Sequence, residues 1–205
     1  MTIPAWSELS GEEKRARTLA AADDLFAREG LDVAMPVLAA AVGAGVGSIY
    51  RQVGAKEDVI AALVIERAER LVRRFTAALE EPDPWTALEQ ATYATAHDGA
   101  TDFLSQTAWD DAAARRPAVA EARAAATRAL EALVERAREH LRPDATHEDL
   151  RILFKCTREA GRIDPAGARR LAELVLRGMQ STPSCATRRA SGSSGRSSSS
   201  RSRRP

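Results

Sequence analysis

Cysteine is nearly absent from this 205-residue chain: the two copies, Cys156 and Cys185, sit in a helical pattern and in a polar tail, which makes no disulfide framework. Aromatic residues supply only 4% of the sequence, and no stretch alternates apolar and polar side chains as a half-buried strand requires. Sandwiches and barrels are thereby excluded. No unbroken apolar run reaches the roughly 18 residues needed to span a membrane. The segment Met1–Ser10 is neither basic nor followed by an apolar stretch, so no secretory leader is expected, and the chain is expected to be cytoplasmic without a membrane partner.

Reactive constellations are missing too. His97, His140 and His147 do not cluster with the cysteines at metal-ligand spacing, so no metal and no other cofactor is expected. Asp110 and Asp111 are adjacent, and consecutive helical side chains diverge, which rules out a working carboxylate pair. No phosphate loop, nucleophile elbow or dinucleotide motif occurs. The chain is not expected to be an enzyme.

What the chain does contain is 44% hydrophobic residues, with alanine plentiful, and 29% charged residues, a mixture suited to packed amphipathic helices. The formal charge of +1 hides an asymmetry. Residues 181–205 hold six arginines, ten serines and no acid, which leaves about −5 on residues 1–180. That tail has almost nothing apolar to offset the entropy of ordering and is expected to be disordered. Residues 1–56 hold six cations and seven acids, so bulk charge gives nucleic-acid binding no support; only local placement can.

Helical periodicity accounts for the rest. Ser10 and Glu13 stand at capping-box spacing, followed by Leu19, Ala22, Leu25 and Phe26 on one face and a stop at Gly30. A short segment from Met35 to Val42 closes at Gly43, and a third runs from Gly45 to Gln52. Three helices within the first 60 residues, the last two joined by a glycine turn, outline a helix-turn-helix. Lys56 to Glu80 reads as one long helix, ended by Pro82 and Pro84. Further helices are expected over Trp85–His97, Thr101–Asp110, Pro117–Leu141 and His147–Ala160, the last of these capped by Thr146 or Asp144. A final helix ends near Gln180.

Within the helix-turn-helix outline, Leu38, Ala39, Val42 and Ile49 supply a small apolar face, and Gly43 the turn. Ser48, Tyr50, Arg51 and Gln52 offer groups that reach phosphates or base edges. Gly45 and Gly47 each cost a helix roughly 1 kcal/mol relative to alanine, a cost explained by close backbone approach to DNA. Val46 contributes only apolar contact, while Lys14 and Lys56 flank the unit as phosphate-seeking cations. These nine residues are the expected DNA-binding set.

The run Leu38-Ala39, Gly43, Gly47-Ser48-Ile49-Tyr50-Arg51 and Lys56-Glu57, preceded by Leu25-Phe26 and Gly30, resembles the helix-turn-helix of the TetR family over about residues 15 to 60. The resemblance implies an all-α subunit. Residues 1–55 would form the DNA-binding domain, residues 56–180 a larger helical domain that binds a small molecule and dimerises through its last two long helices, and residues 181–205 the tail. Three positions depart from the family pattern. Val53 stands where an aromatic usually locks the unit to the fourth helix, so thinner packing and looser coupling are expected there. Ala34 stands where Ser or Thr usually caps the second helix, with Asp32 as a substitute cap, and Ala44 replaces a usual valine.

The resemblance further implies a dimer patch on the last two helices, expected at Leu150, Leu153, Leu171, Leu174, Val175 and Gly178. Tyr93 and His97 lie four apart on one helical face, and with Phe103, Trp109 and Phe154 they are the expected lining of an effector pocket for a hydrophobic or planar compound. The chain thus reads as a homodimeric regulator of double-stranded DNA, a repressor released from a palindromic operator by a small-molecule effector. The competing reading is a helical interaction protein of the same fold that has lost specific DNA binding.

Overall fold

The computed structural model describes residues 4–109 and 116–181. After a 3-10 turn at Trp6–Glu8, Ser10 opens the first helix with a reciprocal capping box. Its Oγ accepts from the Glu13 N–H at 3.2 Å, and the Glu13 carboxylate accepts from the Ser10 N–H at 2.7 Å. Helix α1 (Gly11–Glu29) ends at Gly30, and α2 (Met35–Val42) at Gly43, whose φ of 71° is the left-handed conformation that makes the turn. Then come α3 (Val46–Val53), α4 (Lys56–Ala78), α5 (Pro84–Thr101), α6 (Phe103–Thr107), α7 (Pro117–Arg136), α8 (His147–Gly161) and α9 (Pro165–Met179). Among the described residues there is no strand, only an isolated bridge between Leu141 and Gln180.

Three boundaries differ from the sequence reading. Helix α5 runs past His97 to Thr101, and Asp102 then turns extended and caps the five-residue α6 by accepting from the Ser105 N–H at 2.7 Å. Helix α7 gives way at Arg136 to a 3-10 turn, Arg138–His140. Asp32 does not cap α2: its N-cap is Ala34, with no side-chain bond. At α8 the cap is Thr146, whose N–H donates to Asp149 at 2.7 Å, while Asp144 pairs with Arg142. The tail from residue 182 onward, Cys185, Asp110 and Asp111 lie outside the described residues.

Two buried clusters hold the helices. The first joins Leu19, Leu25 and Phe26 of α1 to Leu38 and Val42 of α2, Ile49 and Val53 of α3, and Val59, Ile60, Leu63 and Val64 of α4. It continues through Leu104 and Ala108 to Val119 at the start of α7. The core therefore does not stop at residue 55. The second cluster gathers Phe75, Leu88, Leu130, Leu133, Leu150, Leu153 and Leu176, with Phe75 stacked on Phe154 at 6.4 Å between ring centroids. Helix α4 belongs to both clusters and lies mainly along α7, while α5 packs on α8 and α9. Gly161 lets α8 cross α5 closely, because a Cβ there would collide with the backbone of Ala100. Among the described residues no helix is long and apolar enough to cross a membrane.

Candidate nucleic-acid interface and adjoining cavity

Helix α3 is anchored from one side only. Ile49 and Val53, four apart, are buried in the first core, which turns Gly45, Val46, Gly47, Tyr50 and Arg51 outward. Tyr50 is 49% exposed, a large aromatic left in solvent rather than in the core. Arg51 donates to the Ser48 hydroxyl at 3.1 Å, and Arg15 of α1 donates to the Gln52 carbonyl at 3.2 Å, which fixes the end of α3 to the start of α1. Ser48, Gln52, Lys14 and Lys56 are half-buried, Lys56 being the first residue of α4. The two glycines have no internal reason to be glycine. A Cβ at Gly45 would meet nothing within 4 Å, and at Gly47 only the tip of Arg51 at 3.9 Å. This face presents a phenol, a guanidinium and bare backbone beside a helix N-terminus, which is chemistry suited to phosphates and base edges.

A cavity of about 380 Å³ lies between α4, α5, α7 and α8. Of the five expected pocket residues, it brings together only Trp109 and Phe154. Tyr93 instead lies under the guanidinium of Arg169 at 5.0 Å, His97 is exposed, and Phe103 packs against the first core. The reason is helical phase: Thr95, Asp98, Gly99 and Asp102 carry the inward face of α5, and positions 93 and 97 fall off it. Leu71, Phe75, Ala126 and Leu130 supply apolar wall. The remainder is ionic rather than aromatic, with six cations (Arg67, Arg70, Arg123, Arg151, Lys155, Arg158) and three carboxylates (Asp98, Asp102, Glu148). Arg123 and Arg158 lie over the Trp109 ring at 5.0 and 5.7 Å.

The cavity wall is tied to the helix-turn-helix by Arg67. This α4 side chain is 5% exposed and sits on the inner stripe between Leu63 and Leu71. It donates to both oxygens of Asp102, at 2.8 and 2.7 Å, and to Asp23 of α1 at 2.7 Å. Burial works against the charge on Arg67, but the Asp102 and Asp23 carboxylates hold its pKa above the usual value. Burial likewise pushes the Asp102 carboxyl up, and is outweighed by the Arg67 guanidinium and the Ser105 N–H, which leave it below the ordinary range. A second tie joins Arg116, at the head of α7, to Asp58 of α4, which also accepts from the Ala55 N–H at 2.7 Å where α3 passes into α4. The sequence reading missed Arg67, although the signal was present: a charge interrupting the stripe Ile60, Leu63, Val64, Leu71 and Phe75 at a position that must face inward.

On the last two helices, Leu150 and Leu153 are buried in the subunit's own core, which removes them from the expected dimer patch. Leu174 is 67% exposed, Gly178 is exposed, and Leu171 and Val175 are half-buried on the same side of α9.

Residues 19–63 match the family model described as bacterial regulatory proteins of the tetR family. No curated protein sequence matches the chain. Among solved structures, a TetR transcriptional regulator from Streptomyces coelicolor is 28% identical over 82% of this chain and 99% of its own, with a TM-score of 0.62. A TetR regulatory protein from Mycobacterium vanbaalenii is 24% identical over 83% and 97%, with a TM-score of 0.61. The fatty acid degradation regulator FadR from Bacillus halodurans is 19% identical over 80% and 95%, with a TM-score of 0.66; these last two show likeness of fold.

Proposed function

Because the chain belongs to the TetR family of bacterial regulatory proteins and is a DNA-binding transcriptional regulator, we propose that it works as a homodimeric repressor which a small molecule in the cavity releases from a palindromic operator. In this reading residues 1–55 bind DNA, residues 56–180 receive the effector and dimerise, and two copies of α3 enter successive major grooves. Gly45, Val46, Gly47, Ser48, Tyr50, Arg51 and Gln52 face the groove, and Lys14 and Lys56 hold phosphates.

The observation that carries the effector half is the Arg67 bridge. One guanidinium is at once part of the cavity wall and a partner of α1. A ligand that draws Arg67 away from Asp23 changes how α1 sits on α4, and with it the spacing of the two recognition helices. Effector and operator then oppose each other through a shared contact.

The test begins with selection of bound fragments from the source genome, followed by salt titrations on the selected operator and a scrambled duplex. Lys56→Ala should weaken both duplexes alike and flatten the plot of log affinity against log salt by about 0.9, the share of one phosphate. Gln52→Ala should cost about 1–3 kcal/mol on the operator and little on scrambled DNA, since its amide can pair with the N6 and N7 edge of adenine. Enrichment of no fragment above background would turn the reading toward an interaction protein of the same fold.

A further inference from the structure

We propose that Val46 reads the 5-methyl group of a thymine in each half-site of the operator. This rests on the reading of α3 as the helix that enters the major groove, and it names the base edge that the leading turn of α3 recognises.

The leading turn of α3 carries little side chain beyond that valine. Gly45 is its N-cap, with no side-chain hydrogen bond, and Gly47 follows Val46 directly. Glycine on both sides leaves the isopropyl group standing clear, 37% exposed, while Ile49 and Val53 hold the opposite face of the helix in the core. Ser48, the next residue, has its hydroxyl engaged by the Arg51 guanidinium at 3.1 Å. Gln52 lies half-buried near the other end of the helix, where its carbonyl accepts from Arg15. Folding does not call for this arrangement. A β-branched residue between two glycines makes a poor start to a helix, and Val46 belongs to neither buried cluster.

The N-terminal residues of a recognition helix are the ones that reach base edges. In the major groove adenine, guanine and cytosine present hydrogen-bond donors and acceptors, and thymine alone adds a methyl group. An isopropyl group laid over a donor or acceptor strips its water and returns no hydrogen bond. Laid over the thymine methyl, it buries apolar surface on both partners. The two glycines serve the same contact: with no Cβ on either side of Val46, the end of the helix can come close enough for the methyl groups to touch. Discrimination at this base pair therefore comes from a methyl group and not from a hydrogen bond.

The experiment uses the full chain and the operator obtained by fragment selection. Each thymine of a half-site is replaced in turn, together with its symmetry mate, by deoxyuridine, which keeps the hydrogen-bonding edges and the pairing with adenine and lacks only the methyl. One position should lose about tenfold in affinity, the product of about three- to fourfold in each half-site, while the other thymines stay within about twofold. Val46→Ala improves helix propensity, and circular dichroism and thermal unfolding check that it folds. It should bind the thymine and uracil forms of that position within about twofold of each other. If no deoxyuridine position weakens binding, or if Val46→Ala keeps the wild-type discrimination, the assignment is overturned and operator binding still stands. Equal weakening of operator and scrambled duplex by Val46→Ala would put the side chain on the sugar–phosphate backbone and overturn it as well. If selection enriches no fragment, both readings fail.

Discussion

At Gly47 a missing methyl group costs the helix stability, and the proposed DNA face would account for that cost. Nothing inside the protein needs the space, and alanine would favour the helix by about 0.5–1 kcal/mol. Gly47→Ala is thus expected to raise the unfolding midpoint and, at the same time, weaken operator binding, because the added methyl stands between backbone and phosphate. Thermal unfolding and a binding titration on the same sample check the pair. Unchanged affinity would mean that the backbone does not approach DNA there. Several single residues were legible in the sequence because their role is local, although Asp32, expected to cap α2, does not. Ser10 caps, Gly43 turns, and Ile49 anchors because spacing along one helix decides each of these. Tyr93 and His97 were misplaced because their neighbours come from other helices, and four-residue spacing says that two side chains share a face without saying which way the face points.

Among the elements, the long fourth helix, like α7, answers to a different core at each end, and the ion pairs along it set how firmly. Asp102→Asn keeps the cap of α6, since asparagine also accepts from a helix N-terminus, but removes the charge opposite Arg67. The wild-type carboxyl titrates below its ordinary value of about 3.9, so its contribution is full above that pH and is lost as pH falls through the lower, folded value. The variant should melt below the wild type at pH 7, and the gap should close in increasingly acid buffer. A gap that persisted at the lowest pH at which both still fold would show that charge is not what Asp102 contributes. Helix extents were read to within a few residues, except where tertiary contact rather than pattern ended them. The helix expected to end at Ala160 continues through Gly161, whose backbone is where α8 presses on α5, a role invisible until the two helices are side by side.

For the molecule as a whole, assembly turns on α8 and α9. Leu174 is the informative position because it is exposed and not part of the cavity wall, whereas Ile152, also exposed, lines the cavity and would confound assembly with ligand binding. Leu174→Asp is expected to convert a dimer at micromolar concentration into monomer by light scattering and to weaken operator binding in step, while circular dichroism stays unchanged. A wild-type chain that is monomeric and still binds operator would remove dimerisation from the account. Of the expected patch, Leu150 and Leu153 are buried, while Leu174 and Gly178 are exposed. Apolar residues on the last helices were visible in the sequence, but whether a leucine faces its own core, as Leu150 does, or solvent depends on how α8 rolls against α5.

The continuous first core also bears on engineering. Builders of biosensors exchange the reading head of one regulator for another's, and the glycine at 54, just before α4, looks like a convenient suture. A cut there would leave Val59, Ile60, Leu63 and Val64 in the recipient facing a foreign set of side chains, and would separate Arg67 from Asp23. The transplantable unit is larger than the motif. It must carry the first half of α4 together with the matching surfaces of α6 and the start of α7, so that a hybrid inherits the reading head with the core into which it is built.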